Sequence, residues 1–352
     1  MTLLVTGSAG FIGANFVIDW FSHGDEPIIS LDRLSYAGHL ENLKALEGNP
    51  RHRFVKGDIG DSALVGRLLA EHSIRAVVNF AAESHVDRSI LGPAAFIDTN
   101  VQGFGRLLEA ARRYQAGLTG ERAAHFRFVQ ISTDEVFGSL LPQQPAFVED
   151  SPYRPSSPYS ASKAAADHLL RAYQQTYGLP TLLLRSSNNY GPYQYPEKLI
   201  PLVIQQALAG APLPIYGDGR QVRDWLHVSD HCAAIALVLA QGQGGQSYNV
   251  GGGNQWANIE LVRRLCQLLD QRLPRADGGS YAQQIQFVAD RPGHDRRYAM
   301  DSSKLQRELG WQPRHSLGSG LEQTLDWYLQ NQDWVAAVTG EGYQHWLSRQ
   351  YS

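Results

Sequence analysis

The sequence predicts an α/β fold: a Rossmann-type doubly wound parallel sheet carrying a smaller α/β substrate-binding lobe. Three observations predict it. Short, nearly uninterrupted apolar runs alternate with helical patterns through the first half of the chain, as strands covered on both faces of a parallel sheet do. Three glycines follow the first run directly and open a helix. The 352 residues exceed one comfortable core, so a second lobe is expected.

Taken in order, Leu3-Leu4-Val5 is the first strand and residues 11–21 the first helical stretch. Ile28-Ile29-Ser30-Leu31 and Arg53-Phe54-Val55 are the next strands, with a helix over 62–72. Ala76 to Phe80, Phe126 to Ile131 and Thr181 to Leu184 supply the fourth, fifth and sixth strands. The Pro-rich stretch 140–157 has no period and reads as a surface loop or lid. Beyond Ser186 short elements rich in Pro, Tyr and Gly fit the second lobe. The expected division is 1–187 with 223–250 for the first domain, and 188–222 with 251–352 for the second. The tail from about Asn331, with Trp334, Trp346 and Tyr351, is expected to pack as terminal helix.

Composition excludes several classes. Lys and Arg total 31 against 34 Asp and Glu, a net charge of −3, which argues against nucleic-acid or anionic-membrane binding. No apolar run approaches the roughly 20 residues that span a bilayer. The two cysteines, Cys232 and Cys266, form no disulfide framework, so a cytoplasmic location is expected. The 12 histidines show no H-E-x-x-H spacing, so no metal is expected.

Gly7, Gly10 and Gly13, with Phe11 and Ile12 between the last two, form a turn between strand and helix. Gly7 suits the tight turn, Gly10 the approach of a pyrophosphate to a helix N-terminus, and Gly13 close helix–strand packing. Asp32 ends the second strand 19 residues after Gly13. A carboxylate there would bind ribose hydroxyls and repel a 2′-phosphate, which favours NAD, although Arg33 beside it works the other way. Asp58 and Ile59, after the third strand, could meet the adenine. Ser157 and Pro158 start a helix that sets Tyr159 and Lys163 on one face at i and i+4. The ammonium should lower the phenol's pKa toward working pH, so that Tyr159 can take a hydroxyl proton. By itself the pair reads first as a surface Tyr–Lys contact; the glycine turn upstream reverses that reading. Asp134 and Glu135 follow the fifth strand at its carboxyl end, where open parallel sheets bind ligands. Mutual repulsion and desolvation would raise both pKa values, suiting one acid and one base; otherwise they cap a turn.

The Gly7-x-x-Gly10-x-x-Gly13 turn with Tyr159-x-x-x-Lys163 resembles the extended short-chain dehydrogenase/reductase family, and the added Thr133-Asp134-Glu135 resembles its nucleotide-sugar 4,6-dehydratases. The resemblance implies a homodimer through stretches 103–114 and 160–177, tightly held NAD and a nucleotide-sugar substrate, dTDP-glucose first. It implies oxidation at C4 with Tyr159 as base, loss of water across C5 and C6 through Glu135 and Asp134, and return of the hydride to C6. Thr133 completes the set beside Tyr159 and Lys163. Ala81, Ala82, Thr99 and Asn189 are implied on the cofactor side. Ser84, His85, Asn188, Glu197, Lys198, Leu199, Pro214, Tyr216, Arg223 and Asn258 are implied around the nucleotide sugar, as is Thr133. Arg291, His294 and Tyr298 lie in a basic spot whose Arg forks suit a diphosphate, although a solvated charged loop reads the same way. Phe137 stands where the family usually has Tyr, Ser8 replaces a frequent Gly, and the 140–157 loop is short. A nucleotide-sugar 4-epimerase has no water to eliminate and so no need of Asp134-Glu135. A GDP-mannose 4,6-dehydratase would prefer NADP, against Asp32. A non-catalytic dinucleotide sensor would not need Tyr159 and Lys163.

Overall fold

The structure is a computed structural model that describes residues 1–350; Tyr351 lies outside the described residues. Twelve strands are described: β1 (Thr2–Thr6), β2 (Ile28–Asp32), β3 (His52–Lys56), β4 (Ile74–Asn79), β5 (Arg127–Thr133), β6 (Thr181–Ser186), β7 (Asn188–Tyr190), β8 (Leu213–Tyr216), β9 (Val222–His227), β10 (Ser247–Val250), β11 (Gln255–Ala257) and β12 (Ile285–Val288). Seven of them form one parallel sheet in the order β10-β6-β5-β4-β1-β2-β3. The strand order reverses between β1 and β4, which opens a crevice at their carboxyl ends. Below it, buried side chains bond across three strands: the Thr6 hydroxyl to Asn79 at 2.5 Å, and the Asn79 amide to Gln130 at 2.7 Å.

The helices are α1 (Phe11–His23), α2 (Ser62–Glu71), α3 (Val86–Leu91), α4 (Ala94–Ile97), α5 (Phe104–Ala116), α6 (Gly120–His125), α7 (Pro158–Tyr177), α8 (Leu199–Leu208), α9 (Val228–Gln241), α10 (Asn258–Arg272), α11 (Ser303–Leu309), α12 (Leu317–Gln330), α13 (Gln332–Val338) and α14 (Glu341–Gln350). Layers on both sheet faces bury Leu3, Val5, Phe16 and Ile235 on one side and Leu4, Val77, Leu107 and Leu170 on the other. A π-helical turn, Asp98–Gly103, joins α4 to α5. The second lobe packs α8, α10 and α12 around Val203, Leu265 and Leu321, beside the small sheets β11-β9-β7 and β12-β8.

Ser157 caps α7 as its pattern predicted, in a capping box with Ser160, and Pro158 occupies the first turn. The buried pair Arg185–Asp167, at 3.0 Å, ties α7 to β6. Two expectations are corrected. Helix α11 does not belong to the second lobe: Leu305 and Trp311 complete the large sheet's apolar layer. Nor is 140–157 a free lid. Phe137, Leu140 and Phe147 are buried against Tyr298 and Met300, and Asn249 donates its backbone N–H to Glu149 at 2.8 Å.

Candidate active site

The turn after β1 is shaped by its glycines. Gly7 has φ +67°, and a Cβ there would stand 2.5 Å from the Ala81 nitrogen. A Cβ on Gly13 would meet the Gly7 carbonyl at 2.3 Å, whereas one on Gly10 would meet nothing nearer than 3.3 Å. Space above Gly10 therefore stays open at the uncapped N-terminus of the 13-residue helix α1, where backbone N–H groups favour an anion. Asp32 accepts N–H bonds from Ala9 at 2.9 Å and Leu34 at 2.8 Å, one on each oxygen. Arg33 is turned away from any 2′-phosphate role: it pairs with Glu83 and with Asp58 at 3.3 Å, and donates to Thr99. These residues fit a dinucleotide with unphosphorylated ribose. Gly7, Gly10, Phe11, Ile12, Gly13, Asp32, Asp58, Ile59, Ala81, Ala82 and Thr99 all line one cleft.

The same cleft continues past Ser84, Thr133, Asp134, Glu135, Tyr159, Lys163, Asn188, Asn189, Glu197 and Lys198. Thr133 donates to Asp134 at 3.2 Å and accepts the Glu135 N–H, so the triplet forms a tight 3₁₀ turn at the end of β5. Asp134 is 1% exposed and its Oδ2 has no partner among the described residues. Burial first, then the charges of Glu135 and Asp224, holds its carboxyl well above the usual range. Burial raises Glu135 too, but Arg291, Arg223 and Lys198 oppose that rise. Both carboxyls are therefore raised, Asp134 well above the usual range and Glu135 held back by three cations, which sets the two apart as an acid beside a base.

Tyr159 departs from expectation. Burial pushes its phenol far up, and the Glu135 and Asp134 charges push the same way; a hydrogen bond with Thr133 works against them. Lys163 does not offset this. Its Nζ donates to the Ile131 carbonyl at 2.8 Å, and burial lowers its own pKa to about 8. Asn100, in the π-helical turn, fixes both ends of this region by bonding the Glu83 backbone and the Ser162 hydroxyl of α7.

Several residues expected around the sugar do not line the cleft. His85 is buried, edge-on to Trp346 at 5.2 Å, and burial drives its pKa far down; it is a neutral packing group. Leu199 starts α8 and packs on the second-lobe core, and Pro214 is buried within β8. Asn258 lies at the start of α10 with its Oδ1 buried and unbonded among the described residues. The basic spot resolves into unequal parts. Arg296 pairs with Asp218, and Arg297 is spent on Gln255 and two carbonyls. His294 bonds Asp290 at 2.6 Å, and burial lowers its pKa to about 4. Arg223 lies over the Tyr298 ring at 4.4 Å, and Tyr298 donates to Asp295. Arg291 alone of the spot's guanidiniums joins Arg223 and Lys198 in acting on Glu135. Sequence reasoning missed His231, whose ring bonds the Asn189 side chain at 2.9 Å, and it gave the helical tail no surface to cover. It had no signal for either, because both lie on partners distant in the chain.

A dinucleotide crevice whose neighbouring helix carries Tyr and Lys, with a carboxyl pair beside them, defines a dinucleotide-dependent enzyme of the extended short-chain dehydrogenase/reductase class. The family model described as GDP-mannose 4,6 dehydratase matches residues 4–324. The chain is 61% identical over 343 residues to the dTDP-glucose 4,6-dehydratase of Xanthomonas campestris pv. campestris, covering 97% of each. It is 50% identical over 359 aligned positions to the Escherichia coli enzyme of that name, covering 100% of this chain and 99% of the other. A crystal structure of dTDP-glucose 4,6-dehydratase from Streptomyces venezuelae, with NAD and TYD bound, superposes with TM-score 0.88 at 46% identity, over 96% of this chain and 100% of that one. The chain belongs to the dTDP-glucose 4,6-dehydratase family.

Proposed function

We propose that this protein dehydrates dTDP-glucose to dTDP-4-keto-6-deoxyglucose, using NAD. The observation that carries the reading is the Thr133-Asp134-Glu135 turn: one buried carboxyl raised well above the usual range beside another whose rise three cations oppose, both lining the cleft with Tyr159. NAD, when bound, accepts a hydride from C4 of the sugar, returns it to C6, and brings a cationic ring to the site. Tyr159 takes the O4 proton. The resulting 4-ketone acidifies C5–H, and Glu135 removes that proton. Asp134 protonates the C6 hydroxyl, which leaves as water, and C5 regains a proton from Glu135. Lys163, held by the Ile131 carbonyl, would contact the nicotinamide ribose, and Asp32 the adenosine ribose. The same reading makes the protein a cytoplasmic homodimer joined through α5 and α7.

Incubation with dTDP-glucose, with and without added NAD, should give a 4-keto sugar that has lost one water. Glu135→Gln should abolish product release while NAD and substrate still bind. Turnover by that variant at the wild-type rate removes Glu135 from the mechanism, and formation of a 4-epimer of unchanged mass overturns the dehydratase reading.

A further inference from the structure

Asp87 is a buried carboxylate on the first turn of α3, in the large lobe. Two donors reach it from the second lobe. Arg291 offers Nη1 at 2.8 Å, and Tyr216, at the end of β8, offers its hydroxyl at 3.1 Å. They lie 204 and 129 residues away in the chain, on neighbouring segments joined by the pairing of Val288 with Tyr216, so one carboxylate of the large lobe takes two donors from the second.

A guanidinium has two binding edges. Nη1 lies on one, and Nε with Nη2 makes a fork on the other. Asp87 takes the first edge. On the second, Nε is buried and has no partner among the described residues, and among them Arg291 makes its one side-chain hydrogen bond through Nη1. A buried donor left unbonded is costly, so this fork calls for an acceptor from outside the chain. Two-pronged N–H donors match phosphate oxygens.

We propose that Asp87 is a positioning residue for nucleotide-sugar binding: by holding Arg291 through Nη1, it presents the Nε–Nη2 fork to the substrate's diphosphate, with the Tyr216 hydroxyl fixed beside it. The proposal rests on the nucleotide-sugar reading above. It predicts that Asp87 matters to ligands that carry the diphosphate and not to those that lack it.

Calorimetric titration of the NAD-loaded protein with dTDP and with thymidine tests this. Asp87→Ala should weaken dTDP at least tenfold and leave thymidine within twofold. Asp87→Asn, which keeps an acceptor for Nη1, should lie between. KM for dTDP-glucose should rise in parallel, with kcat within threefold. In an Arg291→Ala background, Asp87→Ala should cost dTDP affinity nothing more. Should Asp87→Ala fail to fold, Tyr216→Phe carries the test, with a two- to threefold loss for dTDP and none for thymidine. Wild-type affinity for dTDP in these variants, equal losses for both ligands, or additive losses with Arg291→Ala would overturn the proposal. A wild-type protein that binds UDP or GDP in place of dTDP alters the base in the parent reading, and the same variant pattern with that nucleotide still supports Asp87. Failure of the wild type to bind any nucleoside diphosphate overturns both.

Discussion

Tyr159 and Lys163 were legible as residues and misread as a pair. Spacing on a capped helix placed both in the cleft, and that much needs only the 3.6-residue period. Their electrostatics depended on what the helix packs against. Burial dominates both groups: it raises the phenol and lowers the ammonium to about 8. The protein alone thus holds Tyr159 protonated, and the base form has to be favoured by the cationic cofactor. This gives a prediction separate from the carboxylates. Tyr159→Phe keeps the ring's packing against Phe96 and loses only the hydroxyl. Adding substrate to the NAD-loaded variant should produce no transient absorbance at the NADH band, with turnover lower by at least 10²-fold. A normal transient would show that another group takes the O4 proton.

Strand β9 shows where legibility stopped at the level of elements. Its sequence, with Arg, Asp and His among apolar residues, alternates poorly and ends at the join between the lobes. The glycines Gly251 and Gly252 let the chain approach β9 closely. A Cβ on Gly252 would stand 2.0 Å from the Trp225 carbonyl, and one on Gly251 would stand 2.7 Å from Asp224 Oδ2. Asp224 accepts the Asn254 N–H at 2.9 Å, yet burial outweighs its bonds and raises its pKa to about 6. Between about pH 4 and 6 the folded state therefore holds a proton that the unfolded state has released. Stability from this group is full below the unfolded value, falls as pH rises toward 6, and stays lost above it. Asp224→Asn should remove that fall. Relative to wild type, the variant should gain on the order of 2–3 kcal/mol between pH 4 and pH 7. Denaturant midpoints across that range check it, and a difference that does not change with pH would contradict the assignment.

Across the whole molecule, the parallel sheet and its crevice followed from alternation and a glycine turn, but the closure of the lobes came from the segment that suggested least. Helices α13 and α14 leave the second lobe and run back over the large one. Trp334 donates its indole N–H to Asn42 at 2.8 Å, and Tyr343 donates to the Pro196 carbonyl at 3.1 Å. Val338, Tyr343 and Trp346 cluster with Tyr36, Ala37 and Tyr195. Arg88 lies over the Tyr36 ring at 4.0 Å while pairing with Glu197 at 3.0 Å. Ala37, Tyr195 and Glu197 also line the cleft, just beyond the Asp32 turn. No pattern in the sequence could show this, because aromatic residues near a chain end give no address for the surface they cover. The consequence concerns cofactor retention. A strap that pins residues 36–42 to the second lobe restrains the loop beside the adenosine end, and opening must break those contacts first. Trp334→Phe, which loses one half-buried hydrogen bond, should cost about 1 kcal/mol of stability and leave NAD bound. Removing residues 331–352 should lower the NAD retained after desalting several-fold, while added NAD restores turnover. Full retention of NAD by the shortened chain would show that the crevice holds its cofactor without the strap.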